Sequence, residues 1–198
     1  MSSTLLLSLV MYLFVTSATP GPNNMLLASS GLTYGLRRTV PQILGVGAGF
    51  ILLLVVVAFG LGLVIAQDTR VLTVLKVIGV AYFIYLAWKL WHATPGAAND
   101  AGSPIGFWQA VAFQFINPKG LLMAITAIAV FTSPGPNYAW SVLVIILADV
   151  VVGIPCSVGW AAFGATIRAR FNHTDAFTRF NKAMAILTAL TAILIVTD

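Results

Sequence analysis

From Thr39 to Ala66 the chain carries no charged side chain, and within that stretch Ile51 to Ala58 reads ILLLVVVA without a break. A helix crosses the hydrocarbon core of a bilayer with roughly 20 apolar residues, and this segment is long enough. A membrane barrel is excluded by pattern, since its strands alternate apolar and polar residues. The rest of the chain has the same character. Hydrophobic residues make up 60% and charged residues 8%, with a mean hydropathy of +0.99. Soluble domains run at about 45–50% apolar and about 25% charged. One small core cannot hide that much apolar surface, so the solvent must be the lipid bilayer. The 198 residues allow about six spans at roughly 33 residues each. The expected fold is therefore an all-α integral membrane domain of six transmembrane helices, occupying the whole chain.

The expected spans are Thr4 into the thirties, Thr39 to Ala66, Val71 to Trp91, Ile105 to Phe131, Tyr138 to Ile167 and Phe177 to Val196. His92 to Pro104 (HATPGAANDAGSP) reads as the one clear linker. No Lys or Arg precedes Arg37, so the first span is not expected to be a cleaved signal. Basic residues set orientation. Arg37, Arg38, Lys89, Arg168, Arg170, Arg179 and Lys182 follow the odd-numbered spans, whereas only Arg70 and Lys76 sit at the other side. The expectation is cytoplasmic basic loops with both termini periplasmic. The net charge of +5 is accounted for by these span ends and implies no nucleic acid partner. Cys156 is the single cysteine, which rules out an internal disulfide.

The linker, residues 93–103, separates two halves of three spans, about 1–92 and 104–198. An odd number of spans inverts one half relative to the other. Each half opens with a span interrupted near its middle, at Pro20-Gly21-Pro22 and at Asn117-Pro118. Paired interruptions at matching positions of inverted repeats are the best sequence pointer to a transporter's binding site. Proline removes a backbone donor and clashes with the preceding turn. The freed backbone groups must then face protein or a water-filled cavity.

Several side chains at these depths are candidates for chemistry. Asn23 and Asn24 follow the first break, where helix amides point a positive dipole end at an anion, and can hydrogen-bond an amino acid's charged ends. The competing reading is a proline kink that only packs. Asn117 and Lys119 flank Pro118. A lysine at the bilayer centre costs roughly 2.5–3.5 kcal/mol on insertion scales, so Lys119 is a candidate to line the pathway and meet a substrate carboxylate. Its structural alternative is an ion pair with Asp149. Asp149 is the only acid within an expected span, and the chain contains no Glu. It is the candidate proton carrier; a helix-to-helix hydrogen bond is its alternative. Gly45, Gly47 and Gly49 suit close helix packing, Lys76 suits a snorkelling position, and Tyr82, Tyr85, Trp88 and Trp91 suit an interfacial belt. Pro134 to Asn137 repeats PGPN but falls between spans, where a turn is expected. His92 and His173 lie in loops, so neither a metal site nor any other cofactor is expected.

Thr19-Pro20-Gly21-Pro22-Asn23-Asn24 with Gly31 and Gly35-Leu36-Arg37 resembles the opening signature of the LysE/RhtB family of amino-acid exporters. Leu75-Lys76, Gly79 to Tyr82 and Leu86 to Lys89 resemble its third span, and Phe107-Trp108 with Phe113 to Lys119 its fourth. The resemblance covers almost the whole chain and is nearest to the cysteine and O-acetylserine branch. It implies proton-driven efflux of small neutral amino acids across a bacterial inner membrane and the same inverted three-plus-three fold. A homoserine/threonine- or leucine-type exporter of the family is the alternative. Family members carry an acid in span 2 after the glycines, where this sequence has Phe50; Asp149 is the candidate substitute. A membrane enzyme lacks a catalytic His, Glu or Cys at depth. A passive channel stays open, while a metal exporter is disfavoured by few acids and no buried histidine. The sequence is compatible with a homodimer and carries no motif that specifies one.

Overall fold

The computed structural model describes residues 2–61, 104–170 and 174–197, with isolated positions between 77 and 92. The greater part of the expected third span, with Lys76 and Tyr82, lies outside the described residues, as do residues 93–103 of the linker and His173. What is described is helical: α1 (Ser3–Ala18), α2 (Pro22–Tyr34), α3 (Leu36–Val56, continued by a π-helical turn Val57–Leu61), α4 (Phe107–Ile116), α5 (Pro118–Phe131), α6 (Tyr138–Arg170) and α7 (Thr174–Thr197).

Each boundary has a local cause. The Ser2 hydroxyl accepts from the Leu5 amide at 3.2 Å and caps α1. Thr19 precedes Pro20 and is forced out of the helical region, to ψ 146. Pro22 then occupies the first position of α2, where its missing N–H costs nothing. Asn117 and Pro118 repeat the device between α4 and α5. Gly35, at φ 81, joins α2 to α3 through the left-handed region that glycine adopts freely. Pro134 to Asn137 forms the expected turn ahead of α6.

Among the described residues, α3 with its π turn (Leu36–Gly60) and α6 (Tyr138–Ala169) are each long and apolar enough to cross a membrane. The α1/α2 and α4/α5 pairs pass the same test as bent spans, with bends of 54° and 70°. Both predicted interruptions are therefore real breaks in direction. Their placement is sharper than expected from sequence: Asn23 and Asn24 lie inside the first turn of α2, and Lys119 inside the first turn of α5. Arg179 and Lys182, counted with the basic residues at the start of the sixth span, lie within α7.

Two glycine seams hold the bundle together. Gly31 abuts the Ala161 carbonyl and Gly164 abuts the Ala28 carbonyl, so α2 and α6 touch backbone to backbone. The contact continues to the helix ends, where the Arg168 guanidinium donates to the Thr33 carbonyl at 3.0 Å. The two helices thus run in the same direction. Gly45 meets the Phe107 carbonyl, and a Cβ at Gly49 would lie 2.8 Å from Val111 Cα, which sets α3 along α4 in parallel. Below these seams Leu9, Leu13, Phe50, Leu53, Leu121 and Ile145 form the main apolar core between α1, α3, α5 and α6. The π turn releases the Ala58 carbonyl, which the Tyr138 hydroxyl takes at 2.7 Å. Trp108, Trp140, Val151 and Phe163 point outward, as lipid-facing side chains do.

Candidate functional site

The two breaks meet at one cavity of about 60 Å³, room for on the order of four to six water-sized groups. Its polar lining includes Asn23, Asn24, Gln114, Asn117, Lys119 and Asp149, with Gly21, Phe50, Gly120 and Gly153 among the neighbours. All of the residues singled out as substrate-binding or proton-coupling are therefore brought to one place, from α2, α5, α6 and the break between α4 and α5.

The helix starts are built alike. Met25 N–H donates to the Gly21 carbonyl and Leu121 N–H to the Asn117 carbonyl, each at 2.9 Å, and these are the first bonds of α2 and α5. Pro22 and Pro118 have no N–H. That leaves the amides of Asn23 and Asn24, and of Lys119 and Gly120, ahead of the first intrahelical bond. Neither helix start has a side-chain cap. Two positive dipole ends with free amides thus converge on one cavity, the arrangement that binds carboxylates and phosphates.

Each half also braces the other. Asn23, the second residue of α2, donates from Nδ2 to Gln114 Oε1 at 2.8 Å, and Gln114 Nε2 returns a bond to Asn23 Oδ1 at 3.2 Å. Lys119, the second residue of α5, reaches back to the first half. Its Nζ donates to the Thr19 carbonyl and hydroxyl, both at 3.0 Å, and to the Pro20 carbonyl at 3.3 Å. These carbonyls are the ones freed where α1 ends, at its negative pole, so the ammonium sits where a cation is favoured. Gly21 makes this possible: a Cβ there would lie 2.8 Å from Lys119 Cδ. Asn24 serves the same end, donating to the Ser17 carbonyl at 2.7 Å and the Thr19 carbonyl at 2.8 Å. Its amide nitrogen is thereby turned to α1 rather than to the cavity.

Among the described residues, Lys119 and Asp149 share the cavity without forming an ion pair. The Asp149 side chain is 5% exposed and lies along α6 over Gly153, whose missing Cβ leaves it room. Asn117 is 2% exposed, and its Oδ1 has no hydrogen-bond partner. Phe50 and Asp149 line the same space, so an acid on α6 reaches the cavity that position 50 of α3 also faces.

Gln114 and Thr19 fall within the motifs quoted from sequence but were given no role in the site there. Gln114 is fully buried, and a long amide one turn before a proline break was the signal for it. Thr19 is an acceptor for Lys119 only because the two breaks meet, which no local pattern reveals. The Asn23–Gln114 brace has a measurable consequence. Removing either amide strands its partner, at about 1–3 kcal/mol. Asn23→Leu and Gln114→Leu combined should therefore cost less stability than the sum of the singles, by on the order of 1–2 kcal/mol. Thermal unfolding of the three detergent-purified variants measures this, and strict additivity would contradict the brace.

Comparison with known proteins places this architecture. The family model described as "LysE type translocator" matches residues 14–198. The chain is similar to a cysteine/O-acetylserine efflux protein of Klebsiella pneumoniae, at 34% identity over 86% of this chain and 87% of that one. It is similar to the protein of the same description in Escherichia coli K12, at 31% identity over 98% of both chains. No solved structure matches the chain. With nearly its whole length matched, its paired helix breaks meeting at one cavity, and full-length relatives above 30% identity, the chain belongs to the LysE type translocator family.

Proposed function

We infer that this protein is an exporter of small neutral amino acids, with cysteine and O-acetylserine the first candidates, and not an enzyme. One observation carries the reading: two half-helix N-termini, each with free amides, converge beside Lys119 on a cavity that also holds an acid. That set of groups complements a small zwitterion. The family and the efflux proteins it resembles support the direction of transport, out of the cytoplasm. The carboxylate would lie at the free amides of α2 and α5, within the field of the Lys119 ammonium. Asp149 would carry the proton that couples export to the gradient, since among the described residues it is the acid that reaches the cavity. Efflux of a panel of labelled amino acids from bacterial cells with and without the gene tests the reading. Release of cysteine or O-acetylserine that depends on the gene supports it, and equal release of every amino acid would defeat it.

The membrane arrangement is part of the same proposal: six spans in two inverted repeats, in the inner membrane, with both termini periplasmic. The parallel course of α2 with α6 and of α3 with α4 supports it, because spans 1 and 5, and spans 2 and 4, then run alike. Lys182 Nζ lies 5.1 Å from the ring centre of Trp91, which sets the start of α7 beside the end of the third span. Reporter fusions should place Asp198 in the periplasm and Asn99, in the linker, in the cytoplasm. A cytoplasmic C-terminus would overturn both the orientation and the span count.

A further inference from the structure

The cavity's hydrogen-bonding groups are unevenly satisfied. Its cationic group is already engaged, since the Lys119 ammonium holds Thr19 and Pro20. The nitrogen of Asn24 is taken by α1, and the Thr16 hydroxyl donates to the Tyr12 carbonyl at 2.7 Å. Asn23 and Gln114 satisfy each other. Of the acceptors that remain, the two on the most deeply buried residues belong to Asn117 and Asp149. Asn117 Oδ1 is buried without a partner, and among the described residues nothing donates to the Asp149 carboxylate. Both line the cavity, and both side chains are more than nine-tenths buried. A buried acceptor without a donor, and above all a buried carboxylate without a hydrogen-bonded or ion-paired partner, is unfavourable unless something fills the gap.

We propose that Asp149 and Asn117 form the subsite for the ammonium group of the transported amino acid, separate from the carboxylate position at the half-helix N-termini. This rests on the exporter reading and assigns each pole of the substrate. An ammonium carries three donors and no acceptor, which suits two unpartnered acceptors, one of them anionic. Lys119 and Asp149 contribute one charge of each sign. A zwitterion adds another of each sign, so the loaded cavity stays neutral. The ligand class follows. Both charged ends must be free, and the side chain must be small and uncharged. An N-acylated amino acid lacks the cation that Asp149 and Asn117 take, and a decarboxylated amine lacks the anion that the helix starts take.

Competition binding on the purified full chain tests this, with labelled L-cysteine kept reduced and unlabelled L-cysteine, N-acetyl-L-cysteine and cysteamine as competitors. A lost charge-assisted contact weakens binding by about tenfold or more. Wild-type protein should therefore bind N-acetyl-L-cysteine and cysteamine each at least about tenfold more weakly than L-cysteine. Asp149→Asn and Asn117→Leu should shrink the penalty against N-acetyl-L-cysteine while keeping that against cysteamine. Lys119→Met should do the reverse. N-acetyl-L-cysteine competing as well as L-cysteine against the wild type overturns the subsite with no variant needed. Equal losses for all three compounds in Asp149→Asn would mark a packing role and overturn it as well. Failure of wild-type protein to bind any of a panel of labelled amino acids would instead defeat the exporter reading itself.

Discussion

Replacing Lys119 by methionine should leave a transporter that reaches the membrane and exports almost nothing. Methionine nearly matches the length of the lysine stem and is at home in an apolar span, so insertion is preserved. Its loss falls on two functions at once. The cavity loses its cation, and the carbonyls of Thr19 and Pro20 lose the donor that closes the end of α1. A hydrogen bond from a charged group is worth about 1.5–3 kcal/mol, so efflux should drop by about one to two orders of magnitude. Membrane-fraction immunoblots would confirm expression, and efflux of labelled substrate would report activity. Normal efflux by a well-expressed Lys119→Met variant would show that the ammonium is no part of the transport site.

The second large effect is steric. Gly31 and Gly164 interlock α2 with α6, and a Cβ on either would land on backbone of the other helix. Backbone cannot move aside as a flexible side chain can. Gly31→Val should force the helices apart along the seam that holds the first half against the second. Overpacking costs typically 1–3 kcal/mol, and more where nothing can yield. For a chain of this size the unfolding midpoint should fall by roughly 6–12 °C. Gly159→Ala, in the same α6, is the control. Nothing lies within 4 Å of a Cβ there, so its midpoint should stay within about 1–2 °C of wild type. Similar shifts for the two variants would remove the seam from the account.

Much of this site was legible before any coordinates. The two proline breaks announce themselves because proline acts locally, and the cost of a charge in lipid marks Lys119 and Asp149 wherever the spans pack. The same logic gave Gly45 and Gly49 their packing role against α4. Partnerships were the hidden part. Opposite charges in one span set suggested an ion pair between Lys119 and Asp149, yet the ammonium turns to the carbonyls of Thr19 and Pro20. The end of a broken helix is itself a strong acceptor, and it lies nearer in the fold than sequence distance implies. Gln114 was given no role for a similar reason: an amide looks unremarkable in a span until a second amide is brought against it. Asn24 lines the cavity, and its Nδ2 also secures the end of α1, a role set by backbone direction at the break.

The most direct test of the central claim is counterflow. Proteoliposomes containing the purified chain are preloaded with unlabelled L-cysteine or O-acetyl-L-serine and diluted into a trace of the labelled compound. An alternating-access exporter with one zwitterion site exchanges inner for outer substrate, so label should accumulate transiently above its outside concentration. The Lys119→Met protein should show none of this overshoot. Wild-type liposomes in which label only equilibrates, or does not enter at all, would contradict an exporter built around this cavity.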